Sequence, residues 1–212
     1  MEIDTPQGIA RVHLHTVEEP RAALVLGHGA GGGVEAPDLV AATRAARSQE
    51  LTVALVEQPY RVAGRRSPPR PPQLDAAWTA VVEDLHEGEL AGLPLIVGGR
   101  SLGARVACRR AEETGAVAVL CLAFPLEPPR RGDKPPESRL PELDAVDLPT
   151  LVVQGERDRF GIPPPGPRRE VVQVPGDHGL KADTDAVTRA VEAWLAGVVA
   201  VRAPARSGAR TS

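Results

Sequence analysis

Aromatic side chains are nearly missing from this 212-residue sequence, which holds two Trp, one Tyr and two Phe. So small a supply argues against stacking platforms for single-stranded nucleic acid and against an aromatic cage. An excess of one charge is also lacking. The 25 basic and 28 acidic side chains leave a net charge of −3, which does not suit a nucleic-acid binder. The longest apolar run, Ala116 to Phe124, falls far short of the roughly 20 residues of a spanning helix. The opening Met1–Pro6 has no basic stretch leading into an apolar one, so the expectation is a cytoplasmic protein with no membrane attachment. The two cysteines, Cys108 and Cys121, lie in apolar runs without Cys-x-x-Cys spacing and read as buried free thiols. No two histidines stand four apart on a predicted helix, so no metal is expected.

What is present is enough apolar material, 42% of the chain, to build one sizeable core. Residues 1–200 read as a single domain and 201–212 as a disordered tail. Short apolar runs predict strands at Arg11–Leu14, Ala22–Leu26, Leu51–Val56, Leu95–Val97, Ala116–Leu122, Thr150–Val153 and Val171–Val174. Amphipathic segments predict helices over Pro37–Arg47, Pro72–Leu85, Leu102–Glu113 and Thr184–Val199. From Ala22 onward the alternation predicts an α/β fold, with three layers and a doubly wound, mainly parallel sheet covered on both faces. The first run, Arg11–Leu14, alternates and suits an edge strand with one wet face. Arg61–Pro72 and Pro125–Pro149 are too rich in proline to sustain regular structure, and read as loops.

The chemistry concentrates after the strand Leu95–Val97, where Gly99-Arg100-Ser101-Leu102-Gly103 matches the strand-turn-helix signature of a nucleophile elbow. The composition produces about 0.06 such patterns by chance, before strand and helix context is required. A serine hydroxyl needs a base to take its proton and an acid to orient that base. Asp158, just beyond the strand Thr150–Val153, and His178, in the loop after Val171–Val174, follow in the required chain order. Glu127 and Asp177 compete for the acid role. Asp177 is disfavoured because neighbours in a loop generally point apart. Of the other histidines, His13, His15 and His28 precede the elbow and His86 sits at a helix end. Charge developing on an attacked carbonyl oxygen requires backbone N–H donors. Leu102, next after the nucleophile, and Ala30, in the loop Gly27–Gly33, are the expected pair.

That loop also matches the dinucleotide fingerprint Gly27-x-Gly29-x-x-Gly32, with Glu57 available as the ribose-binding acid. A dinucleotide-binding oxidoreductase is therefore a rival reading. It is weakened because no helix opens directly after Gly32, and because Ser101, Asp158 and His178 would be left without a role.

Together, Gly27-His28-Gly29-Ala30-Gly31, Pro59-Tyr60, Gly99–Arg105, Phe124-Pro125-Leu126, Gln154–Asp158 and Asp177-His178 resemble the α/β-hydrolase superfamily. They are most similar to its small lidless branch, which includes dienelactone-hydrolase-like proteins and the hydrolase-like domain of a chromatin NSL-complex subunit. The resemblance implies Ser101 as nucleophile, Asp158 as acid and His178 as base, an oxyanion hole from Ala30 and Leu102, and no cap domain. It also implies a non-catalytic alternative, because some members of the branch serve in protein interaction. The expected activity is hydrolysis of a small-molecule ester or related acyl bond without cofactor or metal. Arg61, Arg65, Arg66, Arg130 and Arg131 would favour an anionic substrate if they faced the site, though solvated loop arginines are the blander reading.

Overall fold

The computed structural model describes residues 1–128 and 137–200, so Arg130, Arg131 and the 201–212 tail lie outside the described residues. The chain runs β1 (Glu2–Thr5), β2 (Gly8–His15), β3 (Ala22–Gly27), α1 (Pro37–Ser48), β4 (Leu51–Glu57), α2 (Pro59–Val62) and α3 (Pro71–Glu87). It continues through β5 (Leu95–Arg100), α4 (Leu102–Arg110), β6 (Ala118–Leu122), α5 (Leu140–Asp144), β7 (Thr150–Gly155), β8 (Arg169–Val174) and α6 (Thr184–Ala200). Among the described residues eight strands form one sheet in the order β1-β2-β4-β3-β5-β6-β7-β8. β1 and β2 join it antiparallel and the rest is parallel.

The inner parallel strands β3 to β7 are buried along both faces because successive side chains point to opposite sides of a sheet sandwiched between helices, whereas β8 at the edge is partly exposed. Val25, Val97, Val119, Cys121 and Val152 pack with Trp78, Leu85 and Val106 of α3 and α4. Leu24, Leu26, Ile96, Leu120 and Val153 pack with Leu39, Val187, Val191 and Leu195 of α1 and α6. Cys108 and Cys121 are buried free thiols, with their sulfurs 3.4 Å apart. Among the described residues no helix is long and apolar enough to cross a membrane.

Four expectations change. The expected loop Arg61–Pro72 begins inside the short helix α2 and ends in the first turn of α3, where Pro71 and Pro72 cost no helical hydrogen bond. The run Arg11–Leu14 is not at the edge of the sheet. β1, too short to show a period, pairs with β2 through the tight turn Thr5–Gly8 and takes the edge itself. The expected loop Pro125–Pro149 contains the helix α5, whose second residue is Pro141, a position where proline's missing N–H has no helical partner to lose. Its Glu142 is gripped by both ends of the Arg105 fork, at 2.8 and 2.5 Å. The helix expected to reach Glu113 ends at Arg110, because the chain turns through Gly115 at φ 65° to enter β6.

From β3 the chain steps to β4 on one side and returns to β5 on the other, so the winding direction reverses between β3 and β5. A crevice opens at the carboxyl ends of strands at such a reversal. The glycine-rich loop after β3 and the turn after β5 meet there.

Candidate active site

The turn after β5 is built on close backbone approach. A Cβ on Gly99 would stand 2.5 Å from the Gly27 carbonyl oxygen, and one on Gly103 would run into the same carbonyl. The first turn of α4 can therefore lie against the end of β3 only if both flanking residues lack side chains. We expect Gly103→Ala to destabilise by about 1–3 kcal/mol. This reverses the sign expected from helix propensity, where alanine is favoured by roughly 1 kcal/mol. Calorimetry on the two proteins checks it, and an equal or higher melting temperature for the alanine variant refutes the packing account.

Between these glycines Ser101 sits at φ 51°, ψ −102°, a conformation that costs a non-glycine residue about 1–3 kcal/mol. Its N–H donates to the Leu122 carbonyl at 2.9 Å. Serine before a helix usually gives its hydroxyl to the helix's first free N–H groups, but Ser101 makes no such cap. The hydroxyl turns instead to His178 Nε2, 2.9 Å away. His178 Nδ1 donates to Asp158 Oδ2 at 2.8 Å, so the neutral ring presents Nε2 as an acceptor to the serine O–H. The Asp158 side chain is fully buried, whereas that of His178 is 19% exposed. The structure thus brings Ser101, Asp158 and His178 into one hydrogen-bonded line. Glu127 and Asp177 are outside it. Glu127 is exposed, and Asp177 accepts the Gly179 N–H at 2.9 Å in its own turn.

Ala30 lies in the loop after β3, and Leu102 is the first residue of α4. Among the described residues neither N–H is taken by a backbone carbonyl. The peptide that follows the Ala30 N–H is held by buried Tyr60, whose hydroxyl donates to the Ala30 carbonyl at 3.1 Å. Burial pushes the Tyr60 phenol up to about 12, so it stays a donor across the ordinary pH range. His28 is a loop staple: Nδ1–H donates to the Gly29 carbonyl at 2.8 Å, and Nε2 accepts the Gln58 N–H at 3.1 Å.

Burial holds the His28 imidazole below the usual histidine range, and nearby Arg61 adds to this. The unfolded chain therefore takes up this proton first. The stability His28 contributes is complete above about pH 6.5 and is lost as pH falls through the lower folded value. Half-exposed His15 is shifted in the same direction and contributes with the same sign. Urea midpoints should thus fall between pH 7.5 and 5.5, and fall less in His28→Gln. An identical drop in that variant removes His28 from the account.

Sequence reasoning missed the residues that hold this line in place. Arg100 Nε lies 2.9 Å from Asp38 Oδ2, and Nη2 donates to the His178 carbonyl at 3.1 Å. Its Nη1 packs on Gly29, where a Cβ would be 2.7 Å away. One guanidinium therefore touches the Ala30 loop, the start of α1 and the histidine loop. Burial pushes the Asp38 carboxyl upward and Arg100 counteracts this. The Phe160 and His178 rings meet edge to face, with centroids 4.5 Å apart at 71°. Phe160 N–H also donates to Asp158 Oδ1 at 2.9 Å. A chain position inside Gly-x-Ser-x-Gly and an asparagine-like turn at Asp158–Phe160 were the only signals for these roles.

The dinucleotide reading loses its geometry. Gly32 is followed by turns before α1 opens at Pro37, and the first turn of α1 carries the buried carboxylate of Asp38 where a pyrophosphate would need positive charge. Glu57 is engaged by His13 at 3.1 Å and Arg11 at 3.7 Å. Arg65 and Arg66 are exposed.

The sequence matches a family described as an alpha/beta hydrolase domain over residues 20–184. Among curated proteins none matches it. A solved α/β serine hydrolase without a lid from Xanthomonas campestris is 19% identical, with a TM-score of 0.70 over 93% of each chain. Est1E from Butyrivibrio proteoclasticus, solved with ferulic acid bound, is 18% identical with a TM-score of 0.74 over 94% of this chain and 99% of that one. A dienelactone hydrolase from Anabaena variabilis is 15% identical with a TM-score of 0.73 over 93% and 95%. In this chain the segment between β6 and β7 adds only the short helix α5 among the described residues.

Proposed function

Because this chain belongs to the α/β-hydrolase domain family, we propose that it is a serine hydrolase that cleaves a carboxylic ester or related acyl bond of a small molecule. The observation that carries the reading is the line from Asp158 through His178 to Ser101, with links of 2.8 and 2.9 Å ending on a strained serine. Ser101 Oγ attacks the acyl carbon as its proton passes to His178 Nε2, and Asp158 steadies the imidazolium that forms. The N–H groups of Ala30 and Leu102 receive the charge on the carbonyl oxygen. The tetrahedral intermediate expels the alcohol, which takes the proton from His178 and leaves an acyl-Ser101 ester. Water then attacks this ester with His178 as base, releasing the acid and restoring the serine. Every proton is supplied by the chain or by water, so the cycle needs no cofactor.

A fluorophosphonate tests this without knowledge of the substrate. Intact mass should show one adduct on the purified protein, peptide mapping should place it on Ser101, and the unlabelled protein should turn over short-chain p-nitrophenyl esters. A folded protein that takes no adduct defeats the proposal and favours the protein-interaction reading of the fold.

A further inference from the structure

The amide of Gln154, near the end of β7, is completely buried. Its nitrogen is ringed by three oxygens: Asp158 Oδ2 at 2.8 Å, the Gly161 carbonyl at 2.9 Å and the Phe124 carbonyl at 3.0 Å. An amide nitrogen has two protons for these three acceptors, and the opposite orientation would press Oε1 against all three, so the orientation is dictated. The consequence is a buried Oε1 with no partner among the described residues. An orphaned polar atom in a core calls for an explanation.

We propose that Gln154 is a positioning residue for the acid of the triad: its amide aims Asp158 Oδ2 at His178 Nδ1 and supports the carboxylate charge where water does not reach. This inference rests on the catalytic reading of Ser101, Asp158 and His178. Oδ2 receives two donors, Gln154 Nε2–H and His178 Nδ1–H, while Oδ1 receives Phe160 N–H. Without Gln154, His178 is the only donor left on Oδ2, and Phe160 N–H on Oδ1 is the one remaining backbone restraint on rotation about the Cβ–Cγ bond. The two carbonyls that share the remaining donor capacity lie at the exit of β6 and in the loop bearing Asp158, so the amide's position follows the backbone rather than the substrate. The next residue completes the device. A Cβ on Gly155 would run into the Asp177 carbonyl, so the histidine loop rests directly on the end of β7. Adjacent residues of one strand thus hold the acid and seat the base, which sets the separation between them.

Two variants test this. Gln154→Met keeps the length and deletes both donors. Gln154→Glu keeps the shape and, by sharing one proton with Asp158, keeps one donor. The readouts are the fluorophosphonate labelling rate, kcat and KM for a p-nitrophenyl ester, and the far-downfield proton NMR signal of His178 Nδ1–H. In Gln154→Met we expect labelling and kcat to fall by about 10²-fold with KM nearly unchanged, as for a misaligned reacting group. The downfield signal should shift or broaden, and Gln154→Glu should fall between the two. If the methionine variant does not fold, the glutamate variant must by itself show the kcat loss and the altered signal. Wild-type rates and an unchanged signal in the folded variants overturn the role of Gln154 alone. A wild-type protein that takes no adduct overturns the triad, and this inference with it.

Discussion

Replacing Ser101 with alanine is expected to lower ester turnover by about 10⁶-fold, to the level of uncatalysed hydrolysis plus what the remaining site supplies. The fluorophosphonate adduct should vanish from the mass spectrum. The same variant should unfold at the wild-type temperature, because the hydroxyl caps no helix and bonds to no backbone group. Its hydrogen bond runs to the nitrogen of a partly exposed histidine, which water can satisfy. Alanine also inherits the strained φ of 51° unchanged, so the backbone cost cancels between the two proteins. Loss of activity without loss of stability is thus the signature of a residue held for chemistry. Retention of more than a tenth of the turnover would locate the nucleophile elsewhere.

The second large effect is expected for Asp158→Asn, a loss on the order of 10⁴-fold in kcat, the scale reported when a triad acid loses its charge but not its shape. The hydrogen-bond pattern around Asp158 makes this loss hard to avoid. The carboxylate accepts on both oxygens, from Phe160 N–H on one side and from Gln154 and His178 on the other. An asparagine must place its NH2 against one of these sets. Facing His178, it sets donor against donor and drives the ring to the tautomer whose Nε2 carries the proton, which no longer accepts from Ser101. Facing Phe160, it opposes a backbone N–H inside the turn that shapes the loop. Measuring kcat alongside the unfolding midpoint separates the two arrangements, since only the second disturbs the turn. Activity within tenfold of wild type would remove Asp158 from the acid role and return Glu127 or Asp177 to consideration.

Legibility in the sequence followed the range of the forces involved. The inner parallel strands were readable because a strand buried on both faces is nearly continuous in apolar residues, as Leu51–Val56 is with the one exception of Thr52. The turn after β5 was readable because steric exclusion forces glycine at positions 99 and 103, whatever the rest of the chain does. The placement of Asp158 and His178 beyond strand ends followed from chain order on a parallel sheet. β1 was not readable, since its four residues have no period and gain a partner only through the turn at Thr5–Gly8. α5 was hidden by proline content and is held by Arg105 from a helix more than thirty residues earlier. Nor was His28 readable as anything but a rejected base, although the fold uses it to pin the loop that carries Ala30.

By itself, then, the sequence determined the layered α/β architecture, the elbow and the three polar side chains offered at one edge of the sheet. Local sterics and burial act within a few residues and leave their mark on residue type. Only the tertiary structure decided what steadies those side chains: Arg100 between Asp38 and the histidine loop, Phe160 against the ring, Tyr60 on the Ala30 carbonyl and Gln154 behind Asp158. The physical reason is that a hydrogen bond needs its partners within about 3 Å in the right direction. For most of these pairs, residues tens of positions apart reach that distance only once the sheet has assembled, so residue order carries no trace of it.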